Sequence, residues 1–210
     1  MDSNCLIITG GENVKKDTLF KIASQNSFII CVDKGGEIAY KNSIKIDVIL
    51  GDFDSIDKKV LEKLNAKIVK FPVDKDFTDT ELAISYAVEL GFKNITIINA
   101  TGNRIDHVFS TFMLLYKFRK INIKIVGDNF HAFLIDKNYK IMKNAGKTIS
   151  LIPLSEDIKD ITLRGFKYNL TNKLVHLGDS LCTSNVIVED IATIKFKEGI
   201  FLIIITELEE

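Results

Sequence analysis

The chain has no surplus of either charge and no apolar run long enough to cross a membrane. Lysine plus arginine and aspartate plus glutamate both number 28 among the 210 residues, so the formal net charge is zero. This balance does not indicate nucleic acid or an anionic membrane as the main partner. The apolar run Gly199–Thr206 is far shorter than the roughly 20 residues of a spanning helix and predicts a buried strand. Because no signal-peptide pattern is present either, we expect a cytoplasmic protein.

Cysteine is scarce, and its positions argue against a cysteine metal site. The three cysteines are Cys5, Cys31 and Cys182, and no pair of them has the spacing of metal ligands. Cys5 and Cys31 lie in apolar runs, which predicts two buried strand thiols. Cys182 is predicted to lie near a turn.

The first half of the chain, up to about residue 127, alternates apolar runs with helix-like stretches. The hydrophobic content of 46% is enough for one large or two small domains with a buried core. The apolar runs are rich in Ile and Val and apolar throughout, which predicts a mainly parallel sheet buried on both faces. The predicted strands are Cys5–Thr9, Phe28–Val32, Asp47–Leu50, Lys67–Lys70, Ile95–Asn99 and Lys124–Val126, and the clearest helices are Leu82–Leu90 and Val108–Phe118.

The second half of the chain has a different sequence pattern, because short apolar runs alternate with turns and no amphipathic helix is evident. This pattern predicts an antiparallel β-sandwich. We therefore expect an α/β domain at residues 1–128 and an all-β sandwich domain at residues 129–210. The predicted strands of the second domain are Ala132–Asp136, Lys147–Leu151, Asp160–Leu163, Val186–Val188, Thr193–Phe196 and Phe201–Thr206.

Acidic or glycine-rich turns follow four of the predicted strands in the first half. If these strands are parallel, the four turns lie at one edge of the sheet, where α/β proteins bind their ligands. The turns are Asp33-Lys-Gly-Gly36, Gly51-Asp-Phe-Asp-Ser55, Asp74-Lys-Asp-Phe-Thr-Asp-Thr-Glu81 and Gly102-Asn-Arg-Ile-Asp-His107.

Carboxylates gathered at one edge would repel one another unless a cation lies between them. Magnesium prefers oxygen ligands and binds through one or two carboxylates together with phosphate oxygens. Asp52 and Asp54 are two residues apart in an extended segment, so both can face the same side. Asp76 and Asp79 can reach the same edge from the next turn.

Positive charge and glycine in the same turns indicate that the ligand carries phosphate. Arg104 and Lys75 would supply charge to phosphate oxygens. Glycine lets backbone N–H groups approach a phosphate closely. The glycines at these turns are Gly35, Gly36, Gly51 and Gly102.

Each turn taken alone also has a purely structural explanation. Thr78-x-x-Glu81 matches a capping box, in which the helix dipole favours Asp79. Asp52-Phe-Asp54 is compatible with a turn held by Asx hydrogen bonds. Strand-end and first-turn roles are likewise open for Asp33 and His107. Four such turns at one sheet edge favour a shared functional explanation.

The turns Gly51–Ser55, Asp74–Glu81 and Gly102–His107 resemble the three signature segments of bacterial thiamine pyrophosphokinases. Asp33-x-Gly35 fits the turn that precedes them. The resemblance covers about residues 5 to 205. In the second half it rests on Ser150-Leu-Ile-Pro153, Gly165-Phe-Lys-Tyr168 and Thr183-Ser-Asn185.

The resemblance implies an enzyme that converts thiamine and ATP to thiamine diphosphate and AMP with Mg²⁺. It implies an α/β catalytic domain that binds ATP and magnesium, followed by a β-sandwich that binds thiamine. It also implies a homodimer, in which thiamine lies where the α/β domain of one subunit meets the β-domain of the other.

The resemblance further implies which residues hold the metal and which bind the substrates. Mg²⁺ would be bound by Asp52, Asp54, Asp76 and Asp79. Catalysis would depend on Asp52, Asp54, Asp79 and Arg104, with Arg104 stabilising charge on the transferring group. Binding of the substrates would depend on Asp33, Gly35, Lys75, Thr78, Gly102, Asp106, Ser184 and Asn185.

Within this scheme, Asp106 would orient thiamine, and Ser184 and Asn185 would line the thiamine pocket from the neighbouring subunit. Animal members of the family place a Trp against thiamine, whereas this chain has no Trp. The general base that accepts the thiamine hydroxyl proton would be Asp54 or Asp79, and the sequence does not decide between them.

Two other classes of protein were weighed. Ile49-Leu-Gly-Asp-Phe-Asp-Ser55 resembles the strand and nucleophile motif of a HAD-type phosphatase, but Ala132 stands where that class needs a further Asp. A thiamine or nucleotide sensor without catalytic activity would be expected to lose metal-binding carboxylates, and all of them are present.

Overall fold

The computed structural model describes residues 4–53, 56, 58–71 and 76–207. Within it the chain divides into two units, Met1–Asp128 and Asn129–Glu210. The first combines helices with a parallel sheet and the second is built from antiparallel strands. At this level the predicted fold class is confirmed.

The described part of the first unit contains six strands, and its neighbouring strands all pair in parallel. Their spatial order is β6-β5-β1-β2-β3-β4. The strands are β1 Asn4–Ile8, β2 Phe28–Val32, β3 Val48–Gly51, β4 Lys67–Lys70, β5 Asn94–Ile98 and β6 Asn122–Val126. The helices are α1 Lys16–Ser24, α2 Gly35–Lys41, α3 Lys58–Leu61, α4 Asp79–Glu89 and α5 Ile105–Lys117.

Burial explains why the central strands are apolar throughout. In β1, Cys5 to Ile8 are fully buried, since helices cover both faces of the sheet centre. The edge strand β4 is mostly exposed, which agrees with its lysines at both ends. Helices α4 and α5 begin earlier than the predicted Leu82 and Val108, because the polar turn residues before those positions form the first helical turn.

The order of the strands creates a reversal next to β1. From β1 the chain proceeds to β2, β3 and β4 on one side of the sheet and then returns to β5 and β6 on the other. The connections that follow β1 and β5 therefore lead to opposite sides, and a crevice remains at the carboxyl ends of these strands. Such a switch point is where open α/β sheets bind ligands.

The second unit contains two antiparallel sheets whose residues share one apolar core. The strand orders are β12-β9-β14-β7 and β11-β10-β13-β8. In the described part of this unit there is no helix. The strands are β7 Phe130–Ile135, β8 Tyr139–Met142, β9 Thr148–Pro153, β10 Asp157–Arg164, β11 Leu170–His176, β12 Asn185–Val186, β13 Ile191–Lys195 and β14 Phe201–Thr206.

Two of these strands, β8 and β11, were not predicted. Both lie at an edge of their sheet, and most of their side chains are exposed. Only Ile141 in β8 and Val175 in β11 are buried. Edge strands with one inward side chain show little apolar alternation, which is the signal on which strand prediction depends.

All three cysteines are free and buried, including Cys182, which lies in the core of the second unit. Burial raises the pKa of Cys5 to about 12 and that of Cys182 to about 11. Burial likewise raises the pKa of Cys31. These thiols are therefore neutral core side chains. Among the described residues, no helix has both the length and the apolar character needed to span a membrane.

Candidate active site

A cleft of about 760 Å³ opens at the switch point of the first unit. This volume lies within the range of small-molecule sites. The cleft is formed by the turns after β1, β2 and β5 and by the first turns of α4 and α5. Its lining residues are Thr9, Gly10, Gly11, Glu12, Val32, Asp33, Lys34, Thr78, Asp79, Thr80, Asn99, Ala100, Thr101, Gly102, Asn103, Arg104, His107, Val108 and Thr111.

Hydrogen bonds tie the turn after β1 to the turn after β5. The hydroxyl of Thr9 donates to the carbonyl of Asn99 over 2.6 Å, and the N–H of Glu12 donates to the carbonyl of Thr101 over 2.6 Å. The buried side chain of Asn99 accepts from the N–H of Val14 at 2.9 Å. These bonds fix one wall of the cleft.

Glycine is required where these two turns meet. A Cβ on Gly11 would lie 2.2 Å from the carbonyl oxygen of Asn99 and 2.3 Å from that of Thr101. Gly102 has a φ of +149°, and a Cβ there would lie 3.4 Å from the nitrogen of Glu12. The two glycines allow the backbones of the turns to pack directly on each other.

The turn after β2 places a carboxylate beside the end of β3. Asp33 has a left-handed φ of 45°, and its N–H donates to the carbonyl of Leu50 at 3.1 Å. A Cβ on Gly51 would lie only 1.7 Å from Oδ1 of Asp33, so the carboxylate packs against this glycine. Asp52 directly follows Gly51 in the chain and is therefore next to the residue against which the carboxylate of Asp33 packs.

Gly35 begins α2 in close contact with β1. A Cβ on Gly35 would lie 2.0 Å from the carbonyl oxygen of Ile8. We expected Gly35 to expose its N–H to a phosphate, and the structure shows in addition a packing requirement for glycine at this position.

Helix α4 begins with the predicted cap. The hydroxyl of Thr78 accepts from the N–H of Glu81 at 3.2 Å, and Asp79 is the first helical residue. Glu81 forms an ion pair with Lys117 of α5, which links the two helices. Thr78 therefore fixes the start of α4, and both Thr78 and Asp79 line the cleft.

At the start of α5, Arg104 and Asp106 form a bidentate ion pair. Nε of Arg104 donates to Oδ1 of Asp106 at 3.0 Å, and Nη2 donates to Oδ2 at 2.7 Å. This contact, chiefly its hydrogen bonds, holds the pKa of the exposed Asp106 well below its usual range. Asp106 is thus ionised at any pH near neutrality, and Arg104 has a partner that orients its guanidinium at the cleft.

The cleft gathers five of the predicted site residues from three turns: Asp33, Thr78, Asp79, Gly102 and Arg104. Three others, Gly35, Asp76 and Asp106, belong to the same turns without lining the cleft, and Asp52 belongs to the turn after β3. The predicted residues Asp54 and Lys75 lie outside the described residues.

The described carboxylates are suited to a magnesium ion that is completed by a substrate. Within residues 4–53, 56, 58–71 and 76–207, no three Asp, Glu, His or Cys side chains converge as a preformed metal site. Magnesium does not need such a cage, since it commonly binds one or two carboxylates together with phosphate oxygens and water. Asp79 in the cleft lining offers oxygens of this kind, and Asp52 would add others from the turn after β3.

Ser184 and Asn185 lie together in the second unit. Asn185 is 3% exposed, and its side chain is used within the protein. Its Oδ1 accepts from the N–H groups of Tyr168 and Val186, and its Nδ2 donates to the carbonyl of Tyr168 at 2.7 Å. Asn185 therefore holds the backbone of Tyr168, whose side chain is 59% exposed.

The prediction missed the turn after β1 and the residues Lys34 and Asn99, all of which line the cleft. The signal was available for the turn, because Thr9-Gly-Gly-Glu12 follows an apolar strand as the other four turns do. Asn99 is the last residue of the predicted strand Ile95–Asn99, and the sequence does not show that its φ is left-handed, at 58°.

A switch-point cleft lined by glycines, carboxylates and an arginine is typical of α/β enzymes that act on phosphorylated substrates. Matches of the chain to two protein-family models identify the family within this class of enzymes. The model for the thiamin pyrophosphokinase catalytic domain matches residues 19–127, and the model for the thiamin pyrophosphokinase vitamin B1 binding domain matches residues 131–201.

Similar proteins agree with these models. Thiamine pyrophosphokinase of Bacillus subtilis is 36% identical over 205 residues, which cover 94% of this chain and 96% of that protein. A crystal structure of the Bacillus subtilis enzyme superimposes with a TM-score of 0.86, covering 98% of this chain and 99% of that one at 31% identity. The enzyme from Geobacillus thermodenitrificans superimposes with a TM-score of 0.84 at 29% identity and covers 99% of both chains.

The chain belongs to the thiamine pyrophosphokinase family. Membership confirms the predicted activity, which is the formation of thiamine diphosphate from thiamine and ATP. It also sets aside the phosphatase alternative, because the acidic segments that resembled a phosphatase motif belong to the matched catalytic domain.

The contact of Gly35 with β1 gives a testable prediction. Gly35→Ala should destabilise the protein by about 2–4 kcal/mol, since its Cβ would collide with a backbone carbonyl that cannot move without disturbing β1. Gly36→Ala is the matched control, because the same helix would gain the same propensity and its Cβ meets the movable side-chain ends of Ile49 and Ile56 rather than backbone. Urea unfolding of both variants measures the difference, and equal stabilities would contradict this packing requirement.

Proposed function

We propose that the enzyme transfers the pyrophosphoryl group of Mg·ATP to the hydroxyl of thiamine in the cleft of the first unit. The hydroxyl oxygen bonds to the β-phosphorus, the bond between that phosphorus and the α–β bridging oxygen breaks, and AMP leaves. The observation that carries the proposal is the convergence of Asp33, Asp79, Gly102 and Arg104 from separate turns on one cleft. We place this reaction in the cytoplasm.

The residues of the cleft supply alignment and charge, which are the main requirements of phosphoryl-type transfer. Arg104, oriented by Asp106, stabilises the negative charge that develops on the transferring group. Asp52, Asp54, Asp76 and Asp79 are the residues that would hold Mg²⁺. When bound, the ion neutralises phosphate charge. The hydroxyl proton passes to Asp54 or Asp79.

The second unit serves, in this proposal, as a β-sandwich that binds thiamine through the segment around Ser184. Asn185 contributes by holding Tyr168 rather than by direct contact, since its amide is already bonded to backbone. The match of the vitamin B1 binding domain model to residues 131–201 supports this division of labour.

A homodimer with shared sites completes the proposal. Two apolar side chains on one face of α5, Ile105 and Phe109, are 75% and 67% exposed. They neighbour Arg104 and Val108, which line the cleft. An apolar face beside a polar cleft is suited to contact with another protein surface. We assign that surface to the second unit of the partner subunit.

Product analysis tests the reaction. With thiamine and Mg·ATP, AMP and thiamine diphosphate should appear in equal amounts and at the same rate. Chromatography resolves both products. Thiamine monophosphate and ADP as the main products would show phosphoryl transfer instead and would overturn the proposed reaction.

Substitutions should distinguish a carboxylate that acts in catalysis from one that stabilises the fold, by their separate effects on rate and on the free energy of unfolding. Asp52→Asn should reduce the rate about a hundredfold or more and change the unfolding free energy by only about 0.5 kcal/mol. Asp47→Ala is the control, because Asp47 accepts from the N–H of Ile29 at 2.9 Å at the other end of β3. Its loss should cost about 1–3 kcal/mol and leave the rate largely unchanged.

Steady-state rates and urea unfolding measure both effects. If Asp52→Asn unfolds as readily as Asp47→Ala and keeps most of its activity, Asp52 is structural. Removing Mg²⁺ with a chelator should abolish the activity of the unaltered enzyme, and adding the ion back should restore it.

Mixed dimers test the shared site. Asp52→Asn and Ser184→Arg should each be inactive alone. After subunit exchange about half of the dimers are mixed, and one site in each of these carries both lesions while the other carries none. Activity should then recover to roughly a quarter of the unaltered value.

The control mixes Asp52→Asn with Asp79→Asn, since both changes lie in the first unit. Every site in such a dimer keeps one lesion, so no recovery is expected. Failure of the Ser184→Arg mixture to recover, with exchange demonstrated by mass spectrometry, would place each site within a single chain.

A further inference from the structure

A small pocket of about 220 Å³ adjoins the main cleft and has no role in the proposal so far. The two cavities share Gly10, Gly11 and Lys34, so the pocket is a side branch of the cleft on the other side of the turn after β1. It is smaller than the usual range for whole small-molecule ligands. Its lining residues are Gly10, Gly11, Asn13, Lys34, Glu37, Ile38 and Lys41.

The turn between the cavities presents two consecutive backbone donors. Gly10 and Gly11 are both exposed, and in the described part of the chain neither N–H donates a hydrogen bond to another residue. Side chains are excluded there, since a Cβ on Gly11 would collide with the turn after β5 and one on Gly10 would lie 3.1 Å from Cβ of Lys34. Successive N–H groups of this kind attract anions.

Lys34 supplies the positive charge at the same place. The pocket's other lysine, Lys41, forms an ion pair with Glu37 at 3.1 Å. In the main cleft, Arg104 is paired with Asp106. Among the described residues, Lys34 forms no ion pair, so it is the cation of this region whose charge is not already balanced.

We propose that Lys34 and the N–H groups of Gly10 and Gly11 bind the terminal phosphoryl group of the nucleotide. The pocket branches from the cleft and is too small for a nucleoside, so a chain of phosphates can enter it only by its end. Lysine and backbone N–H groups are the donors that phosphate oxygens require. This inference rests on the proposed function and assigns to Lys34 a place in the same site.

The chemistry gives this subsite a further property. The terminal phosphoryl group of ATP is carried over in the transferred pyrophosphoryl group and becomes the terminal group of thiamine diphosphate. No bond to the phosphorus of this terminal group forms or breaks during the transfer. The subsite therefore recognises ATP, pyrophosphate and thiamine diphosphate, but not AMP, and it retains the transferred group while AMP leaves.

Equilibrium binding without thiamine tests the assignment, with α,β-methylene-ATP as a nucleotide that cannot transfer its pyrophosphoryl group. Lys34→Met should weaken binding of this analogue and of inorganic pyrophosphate about tenfold, since one charge-assisted contact is lost. Binding of AMP should change less than about twofold. Lys34→Arg keeps the charge and should bind the analogue nearly as the unaltered enzyme does.

Lys45→Met is the matched control, because it also removes one exposed lysine, but Lys45 lines neither cavity and is paired with Asp47. It should bind all three ligands as the unaltered enzyme does. Equal binding of the analogue by Lys34→Met and the unaltered enzyme would overturn the proposal. An equal loss for AMP and the analogue would also overturn it, since Lys34 would then act on the nucleoside monophosphate.

Thermal unfolding of Lys34→Met without ligand should match that of the unaltered enzyme, because Lys34 is exposed. The binding assay needs no thiamine and forms no product. Failure of the subsite proposal can therefore be distinguished from failure of the proposed function. An enzyme that makes thiamine diphosphate and whose Lys34→Met variant binds pyrophosphate normally would refute only the subsite.

Discussion

The position of β1 between β2 and β5 is the constraint on which the rest of the site depends. Because the chain leaves β1 in one direction and returns on its other side, the turns at its carboxyl end cannot cover it. One wall of this crevice is fixed where Thr9 and Asn99 bond the turn after β1 to the turn after β5. Burial of the β1 side chains holds this geometry in place.

Charged side chains of both signs line that crevice. Arg104, which is paired with Asp106, lies in the lining together with Glu12, Asp33 and Asp79. Acidic side chains at such close quarters favour a ligand that brings cations with it. In the proposed reaction, Mg·ATP and the cationic thiazolium ring of thiamine both meet this requirement.

The sequence predicted the parallel half well because buried strands are marked by continuous apolar runs and their ends by polar turns. Asp33, Asp79 and Arg104 were found in this way and do line one cleft. The sequence could not predict β11, whose side chains are mostly exposed, or the buried state of Cys182. Nor could it show that the amide of Asn185 hydrogen-bonds to the backbone of Tyr168, because that contact joins residues 17 positions apart in the chain.

A crystal structure of the enzyme with α,β-methylene-ATP and Mg²⁺ would test the central claim most directly. Our account predicts that the triphosphate lies at the carboxyl ends of β1, β2 and β5, in contact with the turn Thr9–Glu12 and within reach of Arg104. A nucleotide bound elsewhere on the first unit, or on the second unit, would contradict the assignment of the switch-point cleft as the site of transfer.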